Sequence, residues 1–119
     1  YFAIGDVSNH DYEGFAFRDD EGKRLIENLG NNKAMILRNH GTLTVGETIA
    51  AAFIRAYYIE KLSEIQIAAM SSGRELTLIS EKICQEDKDA IKRFGEPGAV
   101  EWPALLRLLK RQGIDAHLR

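Results

Sequence analysis

The sequence predicts an α/β fold, and three stretches carry that expectation. Ala34-Met35-Ile36-Leu37 is a short continuous apolar run, the pattern of a strand covered on both faces. Asn39-His40-Gly41 then turns the chain, and Thr42-Leu43-Thr44-Val45 reads as a second strand ended by Gly46. Together they form a hairpin-like unit with a histidine at its tip. Thr48 next caps a helix running from about Ile49 to Met70 and closed by Ser71-Ser72-Gly73.

The remaining elements follow in chain order. Ala3 to Tyr12 mixes Ile4 and Val7 with Gly5, Asp6, Asn9 and Asp11, which reads as a short strand and then a loop ending near Gly14. Asp19 or Asp20 starts a helix to Leu29, with Leu25, Ile26 and Leu29 as its apolar stripe and Gly30 as its stop. In the long helix, Ile49, Phe53, Ala56, Ile59, Ser63, Ile67 and Met70 recur at three- and four-residue spacing, one helix face. Ile54, Tyr58, Leu62, Ile65 and Ala69 fill a second face, so only a narrow stripe around Glu47, Arg55, Lys61 and Glu64 is polar. A helix apolar over so much of its circumference packs on two sides, here its own sheet and a neighbouring helix or subunit.

Ser80 caps a polar helix whose buried candidates are Ile83, Ile91 and Phe94, and Gly95-Glu96-Pro97-Gly98 breaks it. Val100 to Gln112 then sets Trp102, Leu105, Leu106 and Leu109 on one face, with Arg107, Lys110 and Arg111 toward the C-terminal end favoured by the helix dipole. Gly113 is the natural stop.

With 119 residues the chain makes one domain at most, burying roughly 65% of the surface its unfolded form exposes. At 45% hydrophobic and 29% charged residues it has an ordinary globular composition. The net charge of −2 and the pI near 5.9 argue against a nucleic-acid partner, because phosphate binding needs concentrated Lys and Arg. No apolar run reaches the roughly 18–20 residues that span a bilayer, so no membrane partner is expected. The single Cys84 excludes an internal disulfide framework and suits a reducing, cytoplasmic compartment. Because the sequence opens on Tyr1-Phe2-Ala3-Ile4 without an initiator Met, in what reads as the middle of an element, it is expected to be a piece of a longer chain.

Local motifs offer little chemistry. The sequence has no Cys-x-x-Cys, no His-Glu-x-x-His, no phosphate-cradling glycine loop and no Gly-x-Ser-x-Gly. Its histidines are His10, His40 and His117. A histidine at the end of a buried strand and followed by glycine is held by rigid backbone and left uncovered on one side, as a metal ligand or general base requires. The plainer alternative is a hydrogen bond from His40 to a turn carbonyl. Cys84, among polar residues, shows no sign of an activated thiolate. Tyr57 and Tyr58 read as packing residues, and Trp102 as an anchor for the last helix. Glu60 is expensive to bury unpaired and is expected to pair with a strand-end group or an arginine.

Residues 34–70 resemble the class II aldolase/adducin family. The features that match are the apolar strand into Arg38-Asn39-His40-Gly41, the following Val45-Gly46, and an Ala-Phe-containing helix with an inward glutamate. His10-Asp11-Tyr12-Glu13-Gly14 and Glu101-Trp102-Pro103-Ala104-Leu105 look like the adducin-like branch. The resemblance implies a three-layer α/β/α sandwich around a mostly antiparallel sheet, of which residues 1–119 are the C-terminal part. About 1–75 would supply sheet and core helix, and 76–119 the C-terminal helices.

For function, the resemblance implies a divalent metal, usually Zn²⁺, held in the intact parent by three histidines. His40 would be the third ligand and a His-x-His pair upstream the others. Three imidazoles leave an open coordination position that a small hydroxy-carbonyl substrate can occupy during C–C cleavage. His10 and Tyr12 are candidate substrate contacts. Copies of the same chain are the implied partners, as a homo-oligomer such as a tetramer. The alternative is a non-catalytic adducin-like binding module serving as a cytoskeletal or actin-associated scaffold. The intact His40 favours the enzyme, whereas Glu64-Ile65-Gln66-Ile67 and Met70-Ser71-Ser72-Gly73 look adducin-like. Alone, the 119 residues are expected to be inactive and to oligomerise or be weakly stable.

Overall fold

The computed structural model describes residues 6–14, 20–91, 93 and 95–114. Three strands and four helices follow one another as β1 (Val7–His10), α1 (Glu21–Leu29), β2 (Ala34–Leu37), β3 (Gly41–Thr44), α2 (Ile49–Met70), α3 (Glu81–Ile91) and α4 (Glu101–Arg111). The readings for Ala3 to Gly5, Asp19, Phe94 and His117 lie outside the described residues.

The sheet has the order β1-β2-β3. β1 runs parallel to β2, with Val7 opposite Ala34 and His10 opposite Leu37. β2 and β3 pair antiparallel, Ala34 opposite Thr44 and Leu37 opposite Gly41. The expected mostly antiparallel sheet is therefore mixed among the described residues. The reason is local: α1 carries the chain back to the starting edge, and such a crossover makes its two strands parallel.

Alternation across the pleat separates two faces. Ser8 points to α1, where its hydroxyl donates to the Leu29 carbonyl at 3.2 Å and accepts from Asn32 Nδ2 at 2.7 Å. Val7, one residue earlier, points the other way and packs with Ala34, Tyr58 and Ile59 of the α2 side. Thr44 lies on that side too, its hydroxyl donating to the Ala52 carbonyl at 3.0 Å. The sheet thus lies between α1 and α2, the layering of an α/β/α sandwich.

α2 begins and ends where the sequence indicates, and Thr48 Oγ1 accepts from the Ala51 N–H at 3.1 Å. Only its first half is enclosed: Ala51, Ile54, Arg55 and Ile59 are buried, whereas Ile65, Ile67 and Met70 are exposed. Its second neighbour is α4, through an edge-to-face contact of Phe53 with Trp102 at 5.4 Å between centroids. Gly98 closes the approach to that contact. Its φ is +86°, and a Cβ there would lie 2.6 Å from the Ala50 carbonyl oxygen, so only glycine fits. Lys88 of α3 pairs with Asp6, just before β1, at 2.9 Å.

Several burial expectations are corrected. Ile26 is 73% exposed, because α1 turns Leu25 and Leu29 toward the body and leaves Ile26 off that stripe. β2 is covered on both faces only at Ala34 and Met35; Ile36 is 39% exposed, since α2 covers the other end of the sheet. Ile83 is likewise exposed. Glu60, expected inward, is exposed on α2, so its charge stays in water. Arg55, assigned to the polar stripe, is instead buried. Its guanidinium is satisfied there, donating to the Val45 carbonyl at 2.8 Å and to Glu47 at 3.2 Å.

The same corner sets an acid-sensitive contact. Glu47 is held down to about 2 from an ordinary 4.5 by its own backbone N–H, then by Lys33 and Arg55. A carboxylate with a depressed folded-state pKa contributes stability above its unfolded value and loses it as pH falls toward the folded value. Glu47→Gln is therefore expected to lower the melting temperature at neutral pH, with the gap to the parent closing between pH 4.5 and about 2. Parallel melting curves for the two proteins across that window would contradict this.

Candidate functional site

The β2–β3 turn decides where chemistry can occur. His40 N–H donates to the Leu37 carbonyl at 3.0 Å, closing a tight turn over Arg38 and Asn39. Asn39, not Gly41, takes the left-handed conformation, with φ of +56°. Asn is among the few non-glycine residues that tolerate it. His40 emerges exposed at the end of the sheet, and no described side chain hydrogen-bonds to its ring nitrogens.

The parallel pairing brings β1 to the same place. Arg38 N–H donates to the His10 carbonyl at 2.9 Å, so the residues after His10 run beside the turn. Tyr12 stacks near His40, with centroids 6.1 Å apart and planes at 23°. A pocket of about 160 Å³ opens here, lined by His10, Tyr12, Glu13, Leu37, Arg38 and His40 and floored in part by Glu21 and Leu25 of α1. The three candidate residues, His10, Tyr12 and His40, thus line one cavity.

His10 is buried despite the polar residues around it in sequence. It is the last residue of β1, points to α1, and is 5% exposed. Asn28 Nδ2 lies 2.8 Å from its Nδ1. With the Asn28 amide nitrogen placed toward the ring, its N–H donates to Nδ1, an assignment that puts the ring proton on Nε2. Among the described residues Nε2 has no hydrogen-bond partner. The nearest carboxylate oxygen, Glu13 Oε1, is 3.8 Å away, too far for a hydrogen bond.

Glu13 is held elsewhere. Arg24 Nε donates to its two oxygens at 2.8 and 3.1 Å, and Arg24 Nη2 contacts Oε2 as well. The Arg24 hydrogen bond keeps the Glu13 carboxyl below its usual range, so it is ionised at neutral pH. Arg24 also bonds Asp20 at 2.6 Å. On the rim, Arg38 pairs with Asp11 at 2.7 Å, an exposed pair of small energetic weight.

Sequence reasoning missed Asn28, Arg24 and Glu13 as parts of this corner. Asn28 lies on α1 and reaches His10 only because the crossover lays α1 over β1, so its spacing carries no signal. Glu13 belongs to the His10-Asp11-Tyr12-Glu13-Gly14 segment that the sequence did single out.

His40 has the donor chemistry and exposure of a ligand. The described residues contain no group of three His, Cys, Asp or Glu side chains able to hold a metal ion. Among them, no helix is long and apolar enough to cross a membrane.

Comparison with known proteins places these features in a wider set. The family model described as Class II Aldolase and Adducin N-terminal domain matches residues 1–67. A "Putative aldolase class 2 protein" of Caulobacter vibrioides is 37% identical over 108 residues, covering 89% of this chain and 42% of that protein. Alpha-adducin of Mus musculus is 42% identical over 75 residues, or 60% of this chain and 10% of the adducin. The crystal structure of an aldolase II superfamily protein from Pseudomonas syringae superposes with a TM-score of 0.82 at 38% identity, covering 93% of this chain and 45% of that one. The chain spans less than half the length of the curated relatives it matches.

Proposed function

Since the chain belongs to the class II aldolase and adducin family, we propose that it is the His40-bearing part of a cytoplasmic, metal-dependent lyase that cleaves a C–C bond in a small hydroxy-carbonyl substrate. The observation that supports this reading most is the single pocket shared by His40, Tyr12 and His10 at the end of the sheet. In this reading His40 is one ligand of a divalent cation, Zn²⁺ in the first instance, and further ligands come from outside the described residues. When bound, such a cation supplies positive charge against the negative charge that develops on a carbonyl oxygen. The chain's own residues orient and enclose. The 38–40 turn holds the His40 ring on rigid backbone, Tyr12 restricts its rotation by stacking, and Leu25 and Leu37 keep water from part of the pocket. His10 and Tyr12 contact the substrate.

The second reading is a non-catalytic, adducin-like binding module, a cytoskeletal or actin-associated scaffold. The exposed apolar run along the second half of α2, from Leu62 through Ile65 and Ile67 to Met70, favours it, since a surface of this kind suits assembly with copies of itself. The same surface is compatible with a homo-oligomeric enzyme, so metal content separates the two readings. Purified intact protein is expected to hold about one equivalent of zinc per chain and to cleave unphosphorylated or phosphorylated hydroxy-ketones. Metal content near zero after purification without chelator, together with no gain of cleavage on adding Zn²⁺, would end the lyase reading and leave the scaffold.

A further inference from the structure

We propose that His10 is a neutral hydrogen-bond donor, fixed by Asn28 in its Nε2–H form, that binds an uncharged carbonyl or hydroxyl oxygen of a small ligand in the pocket beside His40. The inference rests on reading this pocket as a ligand site and goes further, to the donor atom, the residue that orients it and the charge of what it takes.

The first support is an unmade bond. A polar group buried to this extent is ordinarily satisfied, because leaving it without a partner costs the full loss of its hydration. His10 Nδ1 is engaged by Asn28, yet Nε2 has no partner and the residue lines the cavity. Among the described residues Glu13 is the acidic side chain nearest that proton, and Arg24 holds its carboxylate in a two-point pairing instead. The arrangement leaves the Nε2–H without a protein partner, buried in a residue of the pocket wall.

Size and charge narrow the ligand. About 160 Å³ is below the roughly 300–1,000 Å³ of sites that enclose a drug-sized molecule, so this pocket takes a few heavy atoms. Among the described residues its lining carries the carboxylates Asp11, Glu13 and Glu21, of which Asp11 is paired by Arg38 and Glu13 by Arg24. In the metal-free protein, and among the described residues, a phosphate here would find both guanidiniums already paired and the Glu21 carboxylate against it. An uncharged, oxygen-bearing end of a substrate suits the donor and the field together. Asn28 acts through His10 and is a positioning residue.

The test reads the tautomer directly. Intact protein is labelled with ¹⁵N-histidine and prepared without metal, and the His10 signals are assigned with His10→Gln. Spectra are then recorded with dihydroxyacetone and, separately, inorganic phosphate. His10 is expected to show the Nε2–H pattern, and dihydroxyacetone to shift it while phosphate does not. Asn28→Asp, which replaces the donating amide by an accepting carboxylate of the same shape, is expected to move the proton to Nδ1 and weaken dihydroxyacetone binding about tenfold, the size of one lost hydrogen bond. A merely structural role for Asn28 would leave the tautomer unmoved. An Nδ1–H pattern in the unaltered protein, or no response of His10 to dihydroxyacetone, overturns the proposal. A shift with phosphate alone overturns the uncharged class of ligand. Because no metal is present, failure of the zinc-dependent lyase reading leaves these outcomes intact, and the two can fail separately.

Discussion

On the lyase reading proposed above, His40→Ala is expected to strip the cation from the intact protein and with it the cleavage activity, while leaving the fold in place. Both halves of that expectation come from position. The imidazole stands exposed at the tip of the β2–β3 turn, without a described hydrogen bond to its ring nitrogens, so its removal breaks nothing that holds the sheet together. Substitutions at such sites change stability by about 0.5 kcal/mol or less. Loss of an outer partner of a metal ligand already weakens metal binding about 10–100-fold, and loss of the ligand itself should exceed the upper figure. Metal analysis after dialysis, paired with circular dichroism melts, checks both. A variant that melts like the parent but keeps its full zinc complement would remove His40 from the metal site.

Met35→Ala is expected to destabilise the protein by about 3 kcal/mol, the usual cost of truncating a fully enclosed long side chain. Met35 is 0% exposed in the central strand, on the α1 side of the sheet beside Ser8 and Leu43. Its truncation would leave a void under the strand that presents His40. The neighbouring Ile36→Ala serves as the contrast, since Ile36 points to the opposite face and is 39% exposed. It should cost less than half as much. Urea unfolding with an unchanged slope would show that both act on stability alone. Equal losses from the two positions would mean that the faces of β2 are not covered as described.

Much of this architecture was legible in the residues because the signals are local. Thr48 and Ser71-Ser72-Gly73 bracket α2 through hydrogen bonds that reach only three or four residues, and the run 34–37 with its turn marks β2 and β3 within a single stretch of chain. Arg55 and Glu60 were misplaced for the complementary reason. Polarity predicts what a side chain prefers, whereas burial depends on what the fold puts beside it. A carbonyl at Val45 and a carboxylate at Glu47 make an interior place for Arg55, and nothing comparable reaches Glu60.

The candidate site divides along the same line. By itself the sequence determined the strand, the turn and the histidine at its tip, together with the family likeness that gives His40 a meaning, because those features are contiguous and their geometry follows from short-range sterics and patterning. Only the tertiary structure decided that His10 is buried, that Asn28 lies against its ring, that Arg24 pairs with Glu13, and that His10 and Glu13 share a cavity with Tyr12 and His40. Those relations depend on β1 pairing parallel to β2 and on α1 lying across them, contacts between residues 11 to 27 positions apart. No spacing along a chain encodes such a meeting; the register of one strand against another creates it.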